Sequence, residues 1–226
     1  MIDRVGPVRT VHTVETYVVR MWLPDRPGAL GQVASRIGAV RGDVIGIDIL
    51  ERGGGQAVDE LVVGLPDGSS VDLLVTEICQ VDGVAVEDVR RVASDRPDAG
   101  LQALDMAAQL AEAPADTRLD LLTKMLHELM FADWAVAIDA RSSRTVVSHG
   151  AAPDTGWLAA FVDGSRHLSP QDQAASAPGD LAWAPLDADD TVVAVGRTGR
   201  PFHTRERQQV LLLSRVTGAL LHPSRA

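Results

Sequence analysis

The chain of 226 residues is 46% hydrophobic and 23% charged, so it can bury a core and is not a disordered polymer. Its formal net charge of -10 is spread evenly, with 9 basic and 14 acidic side chains in residues 1–93 against 12 and 17 in 94–226, which disfavours binding to a nucleic-acid backbone. Aromatics make up 4%, too few for a base-stacking surface; no run of about 18 apolar residues offers a membrane span, and MIDRVGPVRTVHT lacks the apolar centre of a signal peptide, so the expected compartment is the cytoplasm.

The first element in chain order is a strand over Tyr17–Leu23, with Val19, Met21 and Leu23 on one face and Arg20 and Trp22 on the other. It runs into DRPGAL, residues 25–30, and then into a helical pattern with Leu30, Val33, Ile37 and Val40 in one stripe. Pro27 suits a first helical turn, where a missing N–H has no consequence. GDVIGIDILE alternates as a second strand and predicts Ile45, Ile47 and Ile49 on one face. Gly53–Gly55 then supply the positive φ angles of a hairpin, and Ala57–Leu65 is the third strand. Ser70 can cap a second helix carrying Val71, Leu74, Val75 and Ile78, and Val84–Val92 is the fourth strand. The single cysteine, Cys79, can form no internal disulfide and falls in an apolar helical pattern that predicts plain packing.

ASDRPDAG, residues 93–100, is polar and rich in turn formers, and marks a boundary: a first domain over 14–93, a linker over 94–100 and a second domain over 101–222. The second block opens with a stripe of Leu101, Leu104, Ala108 and Ala111, breaks at Pro114, and continues with Leu122, Met125, Leu126 and Leu129. Strands are predicted at Trp134–Asp139, Thr145–Ser148, Leu181–Leu186 and Thr191–Arg197, with a short helix and loops between residues 149 and 180. Thr204 can cap a last helix with Val210, Leu213, Val216 and Leu220 along one side. The expected fold class is α+β: a ferredoxin-like βαββαβ domain followed by a second α/β sandwich.

At DRPGAL the first block resembles an ACT domain, over roughly residues 16–92. The second block, through APLDADDTVVAVGRTGRPFHTRERQQVLLLSRVTGALL, resembles a GAF domain over roughly residues 101–221. The first resemblance implies a regulatory module that binds a small amino acid at the turn after the first strand, close to a neighbouring subunit, and hence a homodimer. The second implies a domain for signal relay or partner contact. No helix-turn-helix, kinase or cyclase pattern occurs, so any output is expected in a separate effector protein.

Physical chemistry gives the turn a means of holding a zwitterion. A helix N-terminus offers unpaired amides and a partial positive charge to a carboxylate. The amides around Gly28, Ala29 and Leu30, following Pro27, are the candidates, and Gly28 lets a ligand approach the backbone. Asp25 can accept from the ammonium, or simply cap the helix. Arg26 is a second anion partner or a solvated charge. Val44 and Ile45, from this or the adjacent subunit, can surround the ligand side chain.

Catalytic signals are sparse. His12, His127, His149, His167, His203 and His222 are scattered, and none stands at zinc-ligand spacing from a carboxylate or second histidine. Neither a G-x-S-x-G elbow nor a P-loop occurs, so no cofactor and no catalytic residue is expected. DADD, residues 187–190, is a solvated turn or a weak divalent-cation site. Two alternatives stay open: an enzyme using the GAF-like cavity with His149 or His167 as acid–base, and a ligand-free interaction scaffold.

Overall fold

In the computed structural model, residues 14–66, 68–96, 98–165, 178–186 and 190–221 are described. The chain forms two compact units, Met1–Arg96 and Pro97–Ala226.

The first unit follows the order β1 (Val14–Pro24), α1 (Ala29–Ala39), β2 (Asp43–Gly53), β3 (Gln56–Pro66), α2 (Val71–Ile78) and β4 (Ala85–Val92). Its strands pair antiparallel in the order β2-β3-β1-β4, the ferredoxin-like arrangement expected of βαββαβ. Odd-numbered residues of β1 and β3, among them Val19, Met21, Leu23, Leu61 and Val63, meet Ala29, Val33 and Ile37 of α1 and Leu74 and Ile78 of α2. Gly54 and Gly55, with φ of 59° and 77°, make the two-residue β2–β3 hairpin, a turn that needs two left-handed residues. Ser70 caps α2 as expected, its hydroxyl accepting the Leu73 N–H at 3.3 Å.

The first unit departs from the sequence pattern at Pro27, Asp25, Ile45 and Cys79. The helix begins at Ala29, so Pro27 lies ahead of it and not in its first turn. Asp25 does not cap it either, because the N-cap position is Gly28. A bulge between Val44 and Gly46 breaks the alternation of β2, so Ile45 packs beside Gly64 and Val14 on one face while Ile47 and Ile49 pair with Leu61 and Asp59 on the other. Cys79 is exposed, because it follows the last turn of α2 and points away from the sheet that α2 covers.

The second unit runs α3 (Ala99–Glu112), α4 (Arg118–Leu129), β5 (Trp134–Asp139), β6 (Arg144–Gly150), α5 (Thr155–Ser165), β7 (Leu181–Pro185), β8 (Thr191–Gly196) and α6 (Thr204–Leu221). Its antiparallel sheet has the order β6-β5-β8-β7. Alternating residues of the strands serve two cores. Ala135, Ala137, Ala182, Ala184, Val193 and Val195 pack with α3, α4 and α6, while Val136, Ile138, Val192 and Ala194 pack with Leu158, Ala159 and Val162 of α5. Small residues on the three-helix face let backbones approach, and a Cβ on Gly218 would run into the Leu186 carbonyl.

Two expectations fail in this unit as well. Leu101, Leu104, Ala108 and Ala111 point outward, and α3 buries Met106 and Leu110 instead, because its packing side is chosen by α4 and α6. Thr204 opens α6 and does not cap it; the Glu206 carboxylate accepts the His203 N–H at 2.9 Å, half of a capping box. Beside it, the buried Arg197 donates to the carbonyls of Met130, Arg200 and Pro201 and to Glu206, and its guanidinium lies over the Phe202 ring.

Candidate functional site

The abrupt step at DRPGAL is a type II β-turn. Gly28, with φ 86° and ψ -11°, takes the third position, where Pro27 precedes it and the Ala29 N–H donates to the Arg26 carbonyl at 3.3 Å. Pro27 presets the second position and Gly28 alone tolerates the third without strain. The Asp25 N–H donates to the Gly55 carbonyl, which ties the turn to the β2–β3 hairpin.

This geometry decides which amides are open. The Ala29 N–H is used by the turn, whereas those of Gly28, Leu30 and Gly31 have no acceptor among the described residues. Whether the Gly31 amide is open depends on where α1 begins, which the sequence pattern leaves uncertain by a residue or two. Asp25, Arg26, Pro27 and Gly28 are all exposed, Leu30 is half-buried and Ala29 is buried. Nothing lies within 4 Å of where a Gly28 Cβ would stand, so the approach to the backbone is open.

The Arg26 guanidinium donates to the Gln32 side chain at 3.1 Å and lines a cleft of about 290 Å³ with Ser35 and Arg36 of α1 and Gln80, Val81 and Asp82 beyond α2. Asp25 is exposed, and its charge is one of those that bear on Asp59 of β3. Asp59 is 4% exposed, and its Oδ1 is buried and accepts no hydrogen bond among the described residues. Burial pushes its carboxyl above the usual 3.8, Arg52 opposes that and Asp25 reinforces it. Asp59 carried a signal in the sequence: it is a carboxylate at an inward position of the period-2 pattern of Ala57, Leu61 and Val63.

Val44 and Ile45 are not brought to the turn within one chain. Val44 pairs with Val63, which pairs with Tyr17, roughly 25 Å along the sheet from Asp25 at the strand rise. The β2 residues at the turn's end are Ile49 and Arg52, which pair with Asp59 and Ala57; Ile47 and Ile49 are 49% and 38% exposed on the helix-facing side.

The adjacent residue, Glu60, points to the opposite face and has the opposite environment. Arg20 Nη2 and Arg90 Nη2 donate to its Oε1 at 2.8 Å and 2.6 Å. Burial raises the Glu60 carboxyl, but the two guanidinium groups outweigh it and leave the group below its usual value.

Elsewhere, His149 Nε2 lies 3.1 Å from Asp120 Oδ1 at the surface, a pairing across 29 residues that no sequence spacing announces. His127 is half-buried and His203 is buried. His12, His167, His222 and Asp187–Asp189 of the DADD turn lie outside the described residues; Asp190 forms an ion pair with Arg141. Among the described residues, no group of three His, Cys, Asp or Glu side chains could hold a metal ion, and no helix is long and apolar enough to cross a membrane.

No protein-family model and no curated protein matches the chain. Solved structures similar to it include the ACT domain of a GTP pyrophosphokinase from Chlorobium tepidum (19% identity, 35% of this chain and 100% of that one, TM-score 0.27). Others are the C-terminal domain of the MgtC protein from Mycobacterium tuberculosis (16%, 43% and 100%, TM-score 0.30) and a candidate glycine cleavage system transcriptional repressor (10%, 81% and 79%, TM-score 0.30). At such identities and TM-scores these likenesses assign no activity; the ferredoxin-like fold of the first unit is established by its own strand order.

Proposed function

We propose that the first unit is a non-catalytic sensor that binds a small amino acid at the Asp25–Leu30 turn, the role its resemblance to ACT domains implies. The observation that carries this reading is the set of open N–H groups on Gly28, Leu30 and Gly31, grouped at the start of α1 and approachable across a bare glycine. They suit a carboxylate by geometry and by the helix dipole. In this reading Arg26 is a second anion partner and Asp25 a partner for the ammonium.

Val44 and Ile45 would reach this turn only from a second copy, so the reading includes a homodimer with the ligand between protomers. Strand β2 is an edge of the sheet, with Ile45 exposed on one face and Ile47 and Ile49 exposed on the other, and pairing along this edge would cover its open backbone groups. The second unit, proposed to be GAF-like, would relay the signal to an effector; its sheet with helices on both faces suits that role. Ligand that favours one dimer arrangement can supply a coupling of about 1–3 kcal/mol.

A thermal-shift screen of the full chain against the twenty amino acids, each at about 10 mM, tests this, since a ligand at about 100 times its Kd adds about 2.7 kcal/mol to the folded state. One or a few amino acids should raise the Tm, and light scattering should return a dimer. Silence from all twenty would remove the sensor reading in favour of a ligand-free scaffold.

A further inference from the structure

The apolar stripe that periodicity picks out on α3 is left unused by the fold of the second unit. Leu101, Leu104, Ala108 and Ala111 are spaced 3, 4 and 3 residues apart and all face solvent, Leu101 at 60% and Leu104 at 68% exposure. Helix α6 presents a matching stripe, Leu212, Val216 and Ala219, with Leu211 beside it. Together the two helices carry five of the thirteen exposed large hydrophobic side chains among the described residues. Each helix already has a packed side, Met106 and Leu110 on α3 and Val210 and Leu213 on α6, so the outward stripes are surplus to that core. A 3–4 spacing is what one helix shows to another, and monomers rarely expose contiguous apolar surface of this kind.

The two stripes lie side by side. The Arg118 guanidinium donates to the Leu110 and Ala111 carbonyls at the end of α3, at 3.1 and 3.4 Å, and to the Leu220 carbonyl at the end of α6, at 2.7 Å, so the two C-terminal ends meet. Counting back from there at the rise of a helix sets Leu101 roughly level with Leu211, Leu104 between Leu212 and Val216, and Ala111 with Ala219. The joint surface is therefore tapered, with leucines toward the N-terminal ends and alanines toward the C-terminal ends. Its charges are also divided: the exposed charged residues of α3 are Asp105 and Glu112, and that of α6 is Arg215.

We infer that this α3–α6 face is where two copies of the chain meet, antiparallel, with α3 of each lying on α6 of the other. A surface that is acidic on one helix and basic on its neighbour complements its own copy turned through a two-fold axis, which sets Asp105 against the partner's Arg215 and the reverse. Shape agrees with charge. Turned end for end, the leucine end of one copy lies over the alanine end of the other and the separation stays even, whereas a parallel pairing sets leucine against leucine and leaves a gap at the alanines. The contact belongs to the second unit and depends neither on the β2 edge nor on an amino-acid ligand.

Sedimentation velocity of the full chain, from about 1 to about 100 μM, tests this. Ile47→Lys puts a charge on the exposed β2 edge and serves as the background, so that pairing there does not obscure the result. The I47K chain should sediment as a dimer, and adding Leu104→Glu or Leu212→Glu should weaken association about tenfold or more, because each carries a charge into the contact. Asp105→Arg and Arg215→Glu should each weaken it too, and combined should return it to within about threefold of I47K. All four positions are exposed, so far-UV circular dichroism should show unchanged helix content; should a leucine variant fail to fold, the charge reversals carry the test. In a Cys79→Ser chain, Leu101→Cys with Ala219→Cys should give an interchain disulfide, since within one chain these positions stand about 13 Å apart along the helices. A monomeric I47K chain at the highest concentration would overturn the inference and leave any wild-type dimer to the β2 edge. Undiminished association of L104E and L212E would overturn it as well. Charge reversals that do not rescue one another would overturn the pairing of α3 with α6, and the lack of an interchain disulfide would overturn the antiparallel arrangement.

Discussion

Asp59 and Glu60 are adjacent in the chain and lie on opposite faces of the same strand, yet the buried Oδ1 of one has no donor among the described residues and the other is held by two arginines. The second unit repeats the satisfied case in Arg197, whose guanidinium reaches three carbonyls, a carboxylate and an aromatic ring. The contrast is between a buried charge that the chain itself partners and one that it does not. A charge with all its partners inside the chain stabilises that arrangement, whereas one without them lowers stability and needs another reason to be present.

The largest effect should come from removing a satisfied partner. Glu60→Ala leaves Arg20, 2% exposed, without that carboxylate, and the expected loss is about 3–5 kcal/mol by urea unfolding. A loss under about 1 kcal/mol would mean that the two faces do not differ in the way described.

Next is the opposite substitution. Asp59→Asn should gain about 1–3 kcal/mol near pH 7, because a neutral amide bears burial better than an orphaned carboxylate. The sign follows from the raised carboxyl: its protonated form is favoured in the folded state, so the wild-type chain is not penalised below the ordinary value of 3.8 and loses stability as pH rises through the folded value. The D59N advantage should therefore vanish in acid. Glu60 behaves in reverse. Its folded carboxyl is lowered, so its contribution is present above the ordinary value of 4.5 and is lost as pH falls through the folded value. Unfolding curves of wild type, D59N and Glu60→Gln across this range should show the two opposite slopes.

Gly28→Ala should cost about 1–2 kcal/mol from its left-handed backbone alone, since nothing stands in the way of the added methyl. It should also weaken amino-acid binding, because the amides on either side lose their setting. The smallest effect is that of Ser70→Ala, which removes the α2 cap at a cost of about 1 kcal/mol by thermal unfolding. Ligand response should be unchanged there, which makes it a control for stability loss without site loss.

Much of the first unit was legible because its signals are local. Alternation in β1 and β3, the Gly54-Gly55 hairpin and the Ser70 cap each depend on a few neighbouring residues. DRPGAL was legible as a turn but not in its detail: only the position of the helix start shows that Ala29 spends its amide on the turn and that Gly31 does not. Ile45 escaped the pattern because a bulge shifts the register by one residue, and a single-residue shift reverses every facing beyond it.

What the sequence determined by itself is therefore the order and kind of the elements, since periodicity and turn chemistry act over a few residues. Tertiary structure alone decided which stripe of α3 is buried, that Val44 and Ile45 lie far from the turn, that His149 meets Asp120, and that Asp59 Oδ1 has no donor among the described residues while Glu60 has two. Each of these depends on which distant segments pack together, and burial removes the water that would otherwise make every carboxylate alike.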